Sequence, residues 1–253
     1  MHKPILMILT ALLILGAAPK VSAITADSLF TVANKQYDNK EYGKALDSYL
    51  RLEKNEMISA ALYYNIGNCY FKQNKLGYAI LYYLRAKRLK PADDDINANL
   101  AFARQFMPTR LEGVKINPVT TFLDSLVAPF TINAIAWISS IFFIILMLFL
   151  CAVIFLRWHG FWIKSVGYAL LIVLLVLSGL TTYKYRTDYM VKKGVIVTDQ
   201  AQVYSGPGED NDLEFVGAYG LTFQIEKATD NYYLAIFENQ RRGWIKKESA
   251  EVI

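Results

Sequence analysis

Two asparagines, Asn34 and Asn68, stand 34 residues apart, and each is followed three residues later by an aromatic, Tyr37 and Phe71. An amide side chain offers two N–H donors and an acceptor oxygen, the same groups a peptide backbone presents. A ring beside it offers a flat apolar face. That pairing points to holding a peptide, not to making or breaking bonds. Parts for bond-making are missing. The only histidines are His2 and His159, so no imidazole in the repeats or the C-terminal stretch can serve as base to a serine or cysteine nucleophile. No glycine-rich phosphate loop or dinucleotide fingerprint is present. The acidic run Glu209-Asp210-Asn211-Asp212-Leu213-Glu214 lacks the glycine that a helix-loop-helix calcium site requires, and reads as a solvated loop. No enzyme, metal or cofactor is expected.

The asparagines belong to a longer repeat. Ala33 matches Gly67, Tyr37 matches Phe71, Ala45 matches Ala79, Leu46 matches Ile80 and Tyr49 matches Tyr83, always at an offset of 34. A fixed period of this length is the mark of stacked helix pairs. Small residues at Gly67 and Ala79 let two helices approach, while Tyr70, Tyr83 and Ala86 fill the space between them. Pro91 stops the second helix. A half-unit follows at 95–104, where Leu100 and Ala101 lie 34 residues after Ile66 and Gly67; a lone helix there would cap the stack.

The second repeat, Tyr63, Ile66, Gly67, Tyr70, Ala79, Tyr83, Ala86 and Pro91, resembles the tetratricopeptide repeat family. The resemblance implies a concave groove lined by Phe30, Asn34, Tyr37, Tyr64, Asn68, Phe71 and Phe102. Phe30, Ala98 and Phe102 stand where carboxylate-clamping members carry cations. That points away from capture of a C-terminal carboxylate and toward an extended segment held by amides and rings.

Two long uncharged stretches, 125–156 and 165–183, are separated by eight residues that include Arg157, Trp158, Trp162 and Lys164. A hydrocarbon core of about 30 Å needs about 20 apolar residues in helix, so each stretch can cross a bilayer, and the short link makes them a hairpin. The hydrophobic fraction of 54% is high for a soluble protein, and these stretches account for the excess. No Asp, Glu or Lys interrupts either, so no ion or proton relay is expected. Lys3, an apolar run from Ile5 to Ala18 and Val21-Ser22-Ala23 read as an export signal cleaved after Ala23. Export of the repeats places the hairpin's link, with Arg157 and Lys164, inside, and both soluble segments outside. Lys184 and Arg186 argue the other way by charge, and the export signal decides. After Pro118, Phe122, Leu123, Leu126, Val127 and Phe130 recur at helical spacing, reading either as an interfacial helix or as an extension of the first span.

The net charge of +5 divides unevenly: residues 24–115 hold 14 basic and 10 acidic side chains, residues 187–253 hold 7 and 11. No dense basic run appears, so nucleic acid is not an expected partner. Cys69 in the repeats and Cys151 in the first span are not expected to meet in a disulfide.

After Arg186 the pattern turns to period two. Residues 195–197, 201–204, 223–226, 232–236 and 243–245 read as five short strands, enough for a small barrel. Val203-Tyr204-Ser205-Gly206-Pro207-Gly208, Gly220 and Arg242-Gly243-Trp244-Ile245 resemble the bacterial SH3-like domain. Tyr204, Tyr232 and Trp244 are its candidate surface, and peptidoglycan is a ligand to consider.

The expectation is a multidomain membrane protein. A signal covers 1–23, an all-α tetratricopeptide repeat domain 24–107 and a linker or interfacial segment 108–130. A two-helix transmembrane hairpin follows, with spans at 131–156 and 165–185 joined by a cytoplasmic loop at 157–164. A small all-β SH3-like barrel at 190–253 completes it. This order resembles the BatE-type aerotolerance proteins of bacteria. The resemblance implies a non-enzymatic subunit at the inner membrane, its partners membrane proteins with von Willebrand factor A domains, working in stress tolerance or envelope assembly.

Overall fold

The computed structural model describes residues 21–108 and 118–253, with side chains from residue 26 onward. The expected export signal lies almost wholly outside the described residues. The chain forms two compact units, Met1–Ile58 and Ser59–Ile253.

In the first unit, α1 (Val21–Asp38) packs on α2 (Tyr42–Lys54). Ala33 and Ala45 are wholly buried, and their small side chains allow the close approach the repeat requires. Tyr49, also buried, sets its ring edge-on to Phe30 at 5.7 Å.

The second unit opens with α3 (Ala60–Lys72), α4 (Leu76–Leu89) and α5 (Asp94–Gln105). Ser59 caps α3 by accepting the Leu62 N–H at 3.1 Å. Asp93 caps α5 through the Ile96 N–H at 3.1 Å and pairs with Lys90 at 2.7 Å. A Cβ at Gly67 would stand 2.7 Å from the Tyr83 ring, so only glycine fits between α3 and α4. The 34-residue period extends to the backbone. Helices end at Asp38 and Lys72 and restart at Tyr42 and Leu76, and the left-handed turn residues Lys40 (φ 63°) and Asn74 (φ 60°) hold the same offset.

Among the described residues two helices are long and apolar enough to cross a membrane: α7 (Ile132–Phe155), and α8 (Phe161–Tyr185) with its continuation as one π-helical turn to Met190. They pack as a hairpin, with Ser139 and Thr181 hydroxyls 3.3 Å apart. The link is shorter than expected. Arg157 takes φ 50° and Gly160 starts α8, so Lys164 lies within the helix. Before them, α6 (Pro118–Val127) is a separate helix. Ala128, Pro129 and Phe130 break the chain, and Thr131 starts α7 by accepting the Ala134 N–H at 3.2 Å. That overturns the alternative of one continuous extension of the first span. The Tyr183 hydroxyl donates to Asp124 Oδ1 at 2.7 Å and ties α6 to α8.

The C-terminal part is one antiparallel sheet of seven strands: β1 (Lys193–Ile196), β2 (Gln200–Tyr204), β3 (Leu213–Ala218), β4 (Thr222–Ala228), β5 (Tyr232–Phe237), β6 (Arg242–Lys246) and β7 (Ala250–Val252). The order is β3-β2-β6-β5-β4-β1-β7. The two edge strands, β3 and β7, do not pair, so the sheet is open and the expected closed barrel is not formed. The five expected strands are present. β3 and β7 were not anticipated. Its core gathers Ile196, Val203, Leu221, Phe223, Phe237 and Ile245 on one face.

This sheet is seated on the repeat helices. A Cβ at Gly77 of α4 would come within 2.5 to 2.8 Å of Val197 backbone atoms. Gly220 (φ 82°) turns against Ile80 and Met107. The Tyr219 hydroxyl donates to the Phe106 carbonyl at 2.6 Å, and Arg85 donates to the Val252 carbonyl at 2.8 Å.

Candidate functional site

The α3 and α5 helices bring four of the expected groove residues together. Asn68 Oδ1 accepts from the Tyr83 hydroxyl at 2.7 Å and from Asn99 Nδ2 at 3.0 Å. Asn99 Nδ2 also donates to the Tyr64 hydroxyl at 2.8 Å. Both lone-pair directions of the Asn68 oxygen are thus engaged, and its NH2 takes no part in these bonds. Beyond it, Phe71, Phe102 and Phe106 form a three-ring cluster with centroids 5.2 to 6.0 Å apart. Phe102 and Phe106 are each about half exposed, at 49% and 48%. The strip therefore has an amide at one end and open aromatic faces at the other, a fit to an extended backbone with an apolar side chain.

Asn99 and Phe106 were missed in the sequence. Phe106 lies one helical turn after Phe102, and that i, i+4 spacing was the available signal. Asn99 carried no signal, because its value comes from facing Asn68 across two helices.

In the first unit, Phe30, Asn34 and Tyr37 share one face of α1 by their spacing. Asn34 Oδ1 accepts from the Tyr49 hydroxyl at 2.6 Å. Asn68 and Tyr83 repeat that bond with the same 15-residue separation. Tyr37 packs on Tyr42 at 5.2 Å. Each asparagine thus locks its own helix pair.

On the sheet, Tyr204 opposes Trp244, and Tyr232 opposes Lys246, so the three aromatics share the face away from the core. Tyr204 is buried, its hydroxyl donating to Gln202 Oε1 at 2.5 Å, while Tyr232 and Trp244 are partly covered. The acidic run is the β2–β3 hairpin and the start of β3. Ser205 N–H donates to the Asp212 carbonyl at 2.9 Å, and Glu209 pairs with Lys246. Among the described residues no three His, Cys, Asp or Glu side chains gather to hold a metal. Cys69 and Cys151 are both free.

No family model matches the chain, and no curated protein matches it.

Proposed function

We propose that the chain is a non-enzymatic adaptor anchored in the bacterial inner membrane, with both soluble parts facing outward and its repeat helices gripping an extended segment of a partner. One observation carries this reading: Asn68, its oxygen held by the Tyr83 hydroxyl and the Asn99 amide, lies beside the half-exposed Phe71–Phe102–Phe106 cluster on a surface built by α3 and α5. The 34-residue period, now visible in helix ends and turn geometry, supports reading the helices as tetratricopeptide repeats. The Gly206-Pro207-Gly208 and Gly243-Trp244 pieces support reading the sheet as an open relative of the bacterial SH3-like domain. α7 and α8, with Trp137 at one end of the pair and Trp158 and Trp162 at the other, support a spanning hairpin with aromatic anchors at both interfaces. The order of parts favours a role beside membrane proteins with von Willebrand factor A domains, in aerotolerance or envelope stress.

The test is partner recovery from gentle detergent with Phe102→Ser, which removes an exposed ring without touching the core. Truncating an anchoring aromatic costs about 2 kcal/mol or more, so recovery drops at least about tenfold. Unchanged recovery sinks the groove. Asn68→Ala is a poorer probe, because it also strips Tyr83 and Asn99 of their shared acceptor.

A further inference from the structure

A cavity of about 530 Å³ opens where α4, the last turn of α8 and the sheet meet. Five cations line it, Lys87, Arg88, Lys184, Lys192 and Lys193, against a single acidic side chain, Asp188; Ile253, whose terminal oxygens add negative charge, lines it too. Two of the five are already committed. Lys184, buried to 8% exposure, pairs with Asp188 at 3.1 Å. Arg88 donates to the Ile253 carbonyl at 3.2 Å and lies over the Tyr189 ring at 4.9 Å. Lys87, Lys192 and Lys193 have no carboxylate partner among the described residues. The lining also includes the apolar Leu84, Ile225 and Tyr233.

We propose that this cavity binds a phosphate-bearing anion, with the headgroup of an anionic membrane lipid as the source the geometry favours. Concentrated positive charge in a concave, partly dry site raises the local potential and draws in an anion. Phosphate takes several donors at once, which three unpaired ammonium groups supply. Lys87 reports the same imbalance: its ammonium is held below the ordinary lysine range by burial first, then by the positive charges of Arg104 and Lys184. A bound anion reverses that penalty. The apolar part of the lining suits the glycerol and first methylenes of a lipid better than a bare ion. Ala128, in the link between α6 and α7, completes the rim on the side from which the apolar helices leave. Lys and Arg gathered beside the end of a spanning helix attract an anionic headgroup by charge. The lipid source rests on the membrane reading given above, whereas the phosphate site itself does not.

The experiment uses the full chain in neutral maltoside micelles, titrated with dihexanoyl phosphatidylglycerol, dihexanoyl phosphatidylcholine and inorganic phosphate. Phosphatidylglycerol is expected to bind at least about tenfold tighter than phosphatidylcholine. Each lysine removed should cost about fivefold, so Lys87→Gln with Lys193→Gln weakens it about 25-fold. Lys44→Gln, on the first unit, leaves it unchanged. Both lysine positions are solvent-reaching, and a melting curve matching the wild type certifies the fold of each variant. Inorganic phosphate binding as tightly as phosphatidylglycerol, with the same variant loss, keeps the phosphate site and removes the lipid as its source. Equal affinity for the two lipids, or a double variant that binds like the wild type, overturns the proposal. Alkaline carbonate extraction of native membranes reports separately on anchoring: release of the chain removes the membrane reading and leaves the micelle titration fully readable.

Discussion

Gly67 and Tyr83 show how one spacing encodes a contact. Their offset of 16 residues spans one helix turnaround, and the structure puts the ring where a methyl group would be. Gly67→Ala is expected to lose about 1–3 kcal/mol of stability despite alanine's better helix propensity, read as a lower urea midpoint. Cys69 gives a chemical check. It is fully buried, and burial pushes its thiol up to about 12. At pH 8 only about one molecule in ten thousand carries the reactive thiolate. An aromatic disulfide reagent should leave Cys69 unmodified until urea unfolds the helices; rapid labelling of the native chain refutes the packing. Asp93 supplies a pH test. Its hydrogen bond from Lys90, then that from the Ile96 N–H, hold its carboxyl below the usual aspartate range. The folded value is depressed, so the contribution is present above the unfolded value of about 3.9 and is lost as pH falls below it. Amide protection at Ile96 should therefore weaken below about pH 4, while Leu62, capped by neutral Ser59, should hold.

At the scale of elements, local patterns were legible and distant pairings were not. Helix pairs and their turnaround points follow from periods of 3.6 and 34, and the two apolar helices from long uncharged runs; both signals are carried by neighbours in the chain. The strands at 223–226 and 232–236 show their alternation openly. β3 hid because Leu213-Glu214 continue an acidic run that reads as solvated, and because Phe215 is half-buried beneath Arg241, whose guanidinium lies 4.3 Å over its ring. β7 hid because three residues carry no period. The proposed groove was half legible: the repeat named Tyr64, Asn68, Phe71 and Phe102, which α3 and α5 set side by side, but Asn99 needs the third helix in place. Nothing in composition foretold Gly77 against Val197, a contact between residues far apart in sequence. That contact predicts a mutant. Gly77→Val drives a branched side chain into backbone that cannot yield, so the sheet lifts from α4 and hydrogen exchange quickens at Val197 and Tyr219 without loss of the strand ladder.

At the scale of the molecule, the adaptor reading depends on sidedness. If α7 and α8 form a spanning hairpin, everything before and after them faces one compartment. Single cysteines at Asp47 and Asp230, in a chain with Cys69 and Cys151 replaced by Ala, should both react with an impermeant maleimide on intact cells. A cysteine at Arg157 should react only after permeabilisation. Labelling of one soluble part alone removes the hairpin topology.

The seat of the sheet on α4 has a practical corollary for anyone who cuts the gene. A fragment starting near residue 190 would come away with the Val197 ridge and the Gly220 corner stripped of their cover, along with the greasy side of Met107's socket. Such a piece would cling to sacculi, glass and itself alike, so pelleting it with cell wall would measure stickiness and not sugar recognition. Only a version that keeps residues 59–108 alongside the strands can tell a true wall ligand from an orphaned surface.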